Sequence, residues 1–125
     1  MIKVLIADDH LLLREGLKLI LDETEDIQVV EEALHGQEVL DKAEENIDVI
    51  VMDINMPKKN GFEVLAELKA MGSKIPVLLL SSYSTEEYRD DVIKEGAAGY
   101  LMKEHASAHL IDAIRKVFQD SRMTA

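Results

Sequence analysis

Short apolar runs alternate along this chain with longer stretches in which apolar residues recur every three or four positions, and the alternation repeats five times. The runs Ile2 to Ala7, Ile27 to Glu32, Asp48 to Asp53, Ile75 to Leu80 and Ala98 to Met102 have strand length. Most are continuously apolar, the mark of strands covered on both faces. The stretches His10 to Asp22, Gly36 to Glu45, Gly61 to Met71, Thr85 to Glu95 and Ala106 to Gln119 have helical spacing. The last of these is the clearest. Leu110, Ala113, Ile114, Val117 and Phe118 form one stripe, and Asp112, Arg115 and Lys116 face away from it. The fourth carries only Tyr88, Val92 and Ile93 among many acids, so weak packing and an easily shifted position are expected there. Strand followed by helix throughout predicts an α/β fold with a five-stranded parallel sheet and five crossover helices.

At 125 residues the chain has the size of one domain. Twenty-five acids against fourteen bases give a net charge of −11, which repels a nucleic-acid backbone and favours a cation or a basic partner face. Direct DNA binding by this segment is therefore not expected. The absence of cysteine excludes disulfides and thiolate metal sites. Apolar runs such as Val77 to Leu80 fall far short of the roughly 20 residues that a bilayer crossing needs, so a cytoplasmic domain without membrane contact is expected.

The chemistry gathers at strand ends. Asp8 and Asp9 directly follow the first strand and Asp53 ends the third. In an open α/β sheet, ligands bind at the carboxyl edge, beside the point where strand order reverses. With strand order 2-1-3-4-5 the first and third strands are neighbours and the three acids converge. Carboxylates crowded together repel each other and lose hydration, an arrangement that makes sense around a cation. Oxygen ligands select a hard ion, Mg²⁺ before Ca²⁺. Asp9 could instead cap the first helix. Ser81 follows the fourth strand and Lys103 the fifth, placing a hydroxyl and an ammonium on the same edge, where they complement a phosphate. His10 and His35 read more simply as surface or helix-start residues than as metal ligands. Leu11, Leu12 and Leu13 give more apolar surface than one core face needs, so the first helix either docks a partner or is wholly core.

Asp8-Asp9-His10, Met52-Asp53-Ile54-Asn55-Met56-Pro57, Leu80-Ser81 and Gly99-Tyr100-Leu101-Met102-Lys103 stand in order at four strand ends. Over essentially its whole length the chain resembles the receiver domain of bacterial two-component response regulators, a flavodoxin-like (CheY-like) doubly wound fold. Arg14-Glu15-Gly16-Leu17 and Gly96-Ala97-Ala98-Gly99-Tyr100-Leu101 give it the look of the NarL/FixJ class, DegU-like regulators in particular.

The resemblance implies that Asp53 is the phosphoacceptor and that Asp8 or Asp9 holds Mg²⁺ together with Asp53 and the backbone carbonyl of Asn55. It further implies that Lys103 binds the phosphoryl group, that Ser81 is the switch hydroxyl and that Tyr100 is the aromatic that changes rotamer. Ser81 stands where Thr is commoner in the family, and Glu104 follows Lys103 where many receivers have Pro.

The implied partners are a sensor histidine kinase, a second copy on phosphorylation, and DNA only through a C-terminal helix-turn-helix domain absent from this chain. Residues 1–119 would then be the receiver and 120–125 the start of a linker. A haloacid-dehalogenase-type phosphatase needs an acid where Asn55 stands. A flavodoxin-like FMN site needs a phosphate-cradling loop where Asp8 and Asp9 stand. A stand-alone or degenerate receiver acting as a protein-interaction module remains the alternative reading.

Overall fold

The computed structural model describes residues 1–44, 46–82 and 94–123. Five strands form one parallel sheet: β1 (Ile2–Ala7), β2 (Ile27–Ala33), β3 (Val49–Asp53), β4 (Val77–Ser81) and β5 (Gly99–Met102), in the order β2-β1-β3-β4-β5. Both the strand count and the predicted order hold. The fourth strand begins two residues later than expected, at Val77, directly after Pro76. A proline has no N–H for a ladder, yet the Pro76 carbonyl still accepts from Ile50 N at 3.0 Å.

Alternation along each strand divides the apolar residues between two cores. Leu5, Ala7, Ile50, Met52 and Leu79 point to one face, where Val64, Leu65 and Leu68 cover them. Val4, Ile6, Val51, Leu78 and Leu80 point to the other, under Leu17, Leu21, Leu110, Ile114 and Val117. Because both faces of β1, β3 and β4 are covered, these central strands read as nearly unbroken apolar runs, whereas the edge strands β2 and β5 are mostly half-buried.

Four α-helices lie among the described residues: α1 (Leu11–Asp22), α2 (Gly36–Lys42), α3 (Gly61–Ala70) and a C-terminal helix (Ala106–Met123), the last preceded by a 3₁₀ turn over Lys103–His105. The expected helix from Thr85 to Glu95 falls almost wholly outside the described residues. Helix α3 starts at a capping box, with Asn60 Oδ1 accepting from Glu63 N at 2.9 Å and Glu63 Oε1 accepting from Asn60 N at 3.1 Å. The helix thus starts at Gly61, where the helical spacing places it. The C-terminal helix runs to Met123, past the expected end at Gln119. Its last turn is held by Ser121 Oγ donating to the Phe118 carbonyl at 2.7 Å, by a Lys116–Asp120 pair at 3.7 Å and by the Arg122 guanidinium 4.6 Å from the Phe118 ring centre. None of the described helices is long and apolar enough to cross a membrane.

Candidate functional site

All the strand-end residues singled out by sequence meet at the carboxyl rim of β1, β3, β4 and β5. Asp53 is the last residue of β3 and Ser81 the last of β4, while Asp8 and Lys103 directly follow β1 and β5. Asp8, Asp53 and Ser81 are buried, at no more than 1% exposure. Lys103 Nζ donates to Asp53 Oδ2 at 2.9 Å and stands 3.2 Å from Asp8 Oδ2. On the other side, Asp53 Oδ1 accepts from Asn55 N at 3.1 Å. The backbone after β3 therefore holds the carboxylate in one orientation.

Asp8 is fixed as firmly. Its Oδ1 accepts from His10 N at 2.8 Å, and its carbonyl accepts from Arg14 Nη1 at 2.7 Å. Arg14 in turn donates through Nε to Glu32 Oε1 at 2.9 Å, tying the end of β1 across to β2. Asp9 is partly exposed and does not cap α1, whose N-cap is His10. Tyr100 is half-buried on β5 and packs against the core that α3 covers.

Burial pushes the Asp53 carboxyl above the usual carboxylate range; Lys103 and the Asn55 N–H pull it down, and the neighbouring Asp8 charge pushes it up further. Burial would likewise lower the Lys103 ammonium, but Asp53 and Asp8 together outweigh that and hold it above the ordinary lysine value. The two directions agree once the charges are compared, because one ammonium serves two buried carboxylates.

Two residues were undervalued in the sequence. Arg14 is buried, and its signal was a cation at a core position of α1, three residues before Leu17 and seven before Leu21. The other is His10, whose Nδ1 lies 3.0 Å from Asp8 Oδ1 and 3.4 Å from Asp9 Oδ1. Asp8, Asp9, His10 and Asp53 each offer one ligand atom, all within 4.8 Å of one another, so the cluster could hold a metal ion. Asp8 Oδ2 supports this. It is buried, and the Lys103 ammonium 3.2 Å away is poorly aligned for a hydrogen bond and shared with Asp53, so the oxygen keeps lone-pair capacity for an ion.

Residues 4–115 match the family described as the response regulator receiver domain. The chain belongs to that family. This receiver domain is 43% identical over 119 residues to the transcriptional regulatory protein DegU of Brevibacillus brevis, covering 94% of this chain and 50% of DegU. It is 34% identical over 126 residues to the response regulator UvrY of Escherichia coli strain K12, covering 100% of this chain and 58% of UvrY. Among solved structures, the signal receiver domain of the response regulator NarL from Mycobacterium tuberculosis superposes with a TM-score of 0.87 at 28% identity, covering 94% of this chain and 96% of that one. These likenesses bear out the NarL/FixJ-type reading. The receiver domain spans about half the length of the curated relatives it matches, 50% of DegU for one.

Proposed function

We propose that this receiver domain takes a phosphoryl group from a phosphohistidine of a sensor kinase in the cytoplasm onto Asp53, and that the added charge alters its surface. The observation that carries the reading is the Lys103 ammonium, 2.9 Å from Asp53 and 3.2 Å from Asp8 at one sheet rim. A carboxylate oxygen of Asp53 attacks phosphorus, an O–P bond forms, and the P–N bond to the donor imidazole breaks with its electron pair returning to the ring. Asp53 needs no general base, since it acts as the carboxylate. Lys103 offsets negative charge on the incoming oxygens, and the Asn55 N–H orients the nucleophile.

Asp8, Asp9, Asp53 and the Asn55 carbonyl are the ligands we assign to Mg²⁺, with oxygen donors suited to a hard cation. Bound there, the ion supplies charge neutralisation to the phosphoryl oxygens.

Phosphorylation adds about −1.5 to −2 charges. The new oxygens draw Ser81 and Lys103 inward, and Tyr100 turns into the space Ser81 leaves. That movement changes the β4–β5 side, through which we infer that a second copy is recruited and that a DNA-binding helix-turn-helix domain, joined beyond the C-terminal helix, is controlled.

Incubation with acetyl phosphate and Mg²⁺ tests this. One phosphoryl group per chain is expected, on Asp53, with no multiple turnover, and none in Asp53→Asn or in the presence of a chelator. Modification of Asp53→Asn at the wild-type level would overturn the assignment.

A further inference from the structure

The two N-cap histidines behave differently. His35 at the start of α2 uses its ring as a cap, Nδ1 accepting from Glu38 N at 3.2 Å. His10 at the start of α1 makes no side-chain cap. Its backbone N–H is tied to Asp8 Oδ1 at 2.8 Å, and its ring is turned into the acid cluster, with Nδ1 3.4 Å from Lys103 Nζ. The lysine ammonium thus stands against Asp8, Asp53 and His10 at once, a cation already in contact with the ligand set.

We infer that His10 is a nitrogen ligand of the metal pocket, and that it makes this site prefer a borderline transition ion such as Ni²⁺ or Co²⁺ over Mg²⁺. The inference rests on the phosphoacceptor reading for the pocket itself and goes beyond it in adding a donor. Ligand atoms on opposite sides of an ion with bonds of about 2.1 Å stand about 4.2 Å apart, close to the 4.8 Å within which the four donor atoms lie. Imidazole nitrogen suits Ni²⁺, Co²⁺ and Zn²⁺, whereas Mg²⁺ keeps oxygen ligands and water. With Asp8 Oδ2 buried and held only by a poorly aligned contact to the shared Lys103 ammonium, the pocket has an oxygen with lone-pair capacity for the ion as well. The His10 side chain is 65% exposed, so the ring that faces the cluster is open to an ion arriving from solvent.

Calorimetric titration with Ni²⁺ and separately with Mg²⁺ tests the assignment. His105 and His109 form an exposed ring pair 6.1 Å apart, a competing site, so both are first changed to Gln. In that background His10→Ala is expected to weaken Ni²⁺ by about tenfold or more while leaving Mg²⁺ within about twofold. An unchanged Ni²⁺-to-Mg²⁺ ratio would overturn the role of His10. As a second readout, Co²⁺-loaded protein should show a paramagnetically shifted, solvent-exchangeable imidazole N–H resonance that disappears in His10→Ala; its absence from the protein with His10 intact counts against the inference. If Mg²⁺ binds and is lost in Asp53→Asn while the His10 ratio does not move, the phosphoacceptor reading stands and the nitrogen ligand falls. Failure of both ions to bind when His10 is intact sinks both.

Discussion

The two rims of the sheet carry ion pairs of opposite character. At the amino rim, Asp26 before β2 receives a fork from Arg115, with Nε and Nη2 donating at 2.9 and 2.8 Å, and both side chains are more than 40% exposed. Each charge there has its own partner, and both gain: the Arg115 hydrogen bonds hold the Asp26 carboxyl below its ordinary range, and Asp26 holds Arg115 above its own. At the carboxyl rim two buried carboxylates share Lys103, and burial moves Asp53 in the opposite direction. The amino rim is electrostatically settled. The carboxyl rim is short of positive charge, a shortage that a bound cation makes good and that a phosphoryl group deepens unless the cation is there first.

The contrast is broken most severely at Lys103. Lys103→Met should slow labelling of Asp53 by acetyl phosphate by about 10² to 10³, the cost of losing one preorganised donor to developing charge. It should also lower stability by about 3 to 5 kcal/mol, because buried carboxylates lose their counter-charge. Arg115→Met at the other rim should leave labelling unchanged, and a time course by intact-protein mass spectrometry compares the two.

Crowding near the carboxyl rim gives the next effect. A Cβ on Gly36 would come within 3 Å of the Lys59 carbonyl and of Val64 Cγ2, so Gly36→Ala should cost about 2 to 3 kcal/mol in a urea titration. Gly16, on the surface of α1, meets nothing within 4 Å, and Gly16→Ala should add about 0.5 to 1 kcal/mol.

The smallest effect sharpens the comparison through pH. Asp53 has a raised folded value, so its contribution to stability is full below the ordinary 3.8 and is lost as pH rises through the folded value. Asp53→Asn should therefore stabilise the metal-free protein at neutral pH by on the order of 1 kcal/mol, a gain that fades as pH falls toward 3.8. Asp26 has a lowered value, so its contribution is present above 3.8 and is lost as pH falls through the folded value. Asp26→Asn should thus lower the melting temperature slightly at neutral pH, and the difference should close in acid. Melting curves between pH 3 and 7 on the two variants, roughly the window in which carboxylates titrate, would reverse the argument if both moved in the same direction.

Strand order and the positions of Asp8, Asp53, Ser81 and Lys103 were legible because burial on both faces writes itself as apolar runs, and the ends of those runs mark the rim. The orientation of the His10 ring was not, since nothing in Asp8-Asp9-His10 tells a capping histidine from one turned aside by an Asx contact. Arg14 was hidden because a buried cation is recognised only when its acceptors, the Asp8 carbonyl and Glu32, are seen. The helix through Ser121 to Met123 was missed because i, i+4 and cation–π contacts hold it, and apolar spacing is blind to these.

The Arg14 clamp gives the domain a stiff flank. On the β1–β2 side, a buried guanidinium grips the end of one strand and a side chain of the next. On the other side of Asp53 lie Ser81 and β5, an edge strand half-buried along its whole length. Under the phosphoacceptor role proposed for Asp53, the clamped β1–β2 flank leaves the β5 edge as the direction in which added charge is expected to be felt.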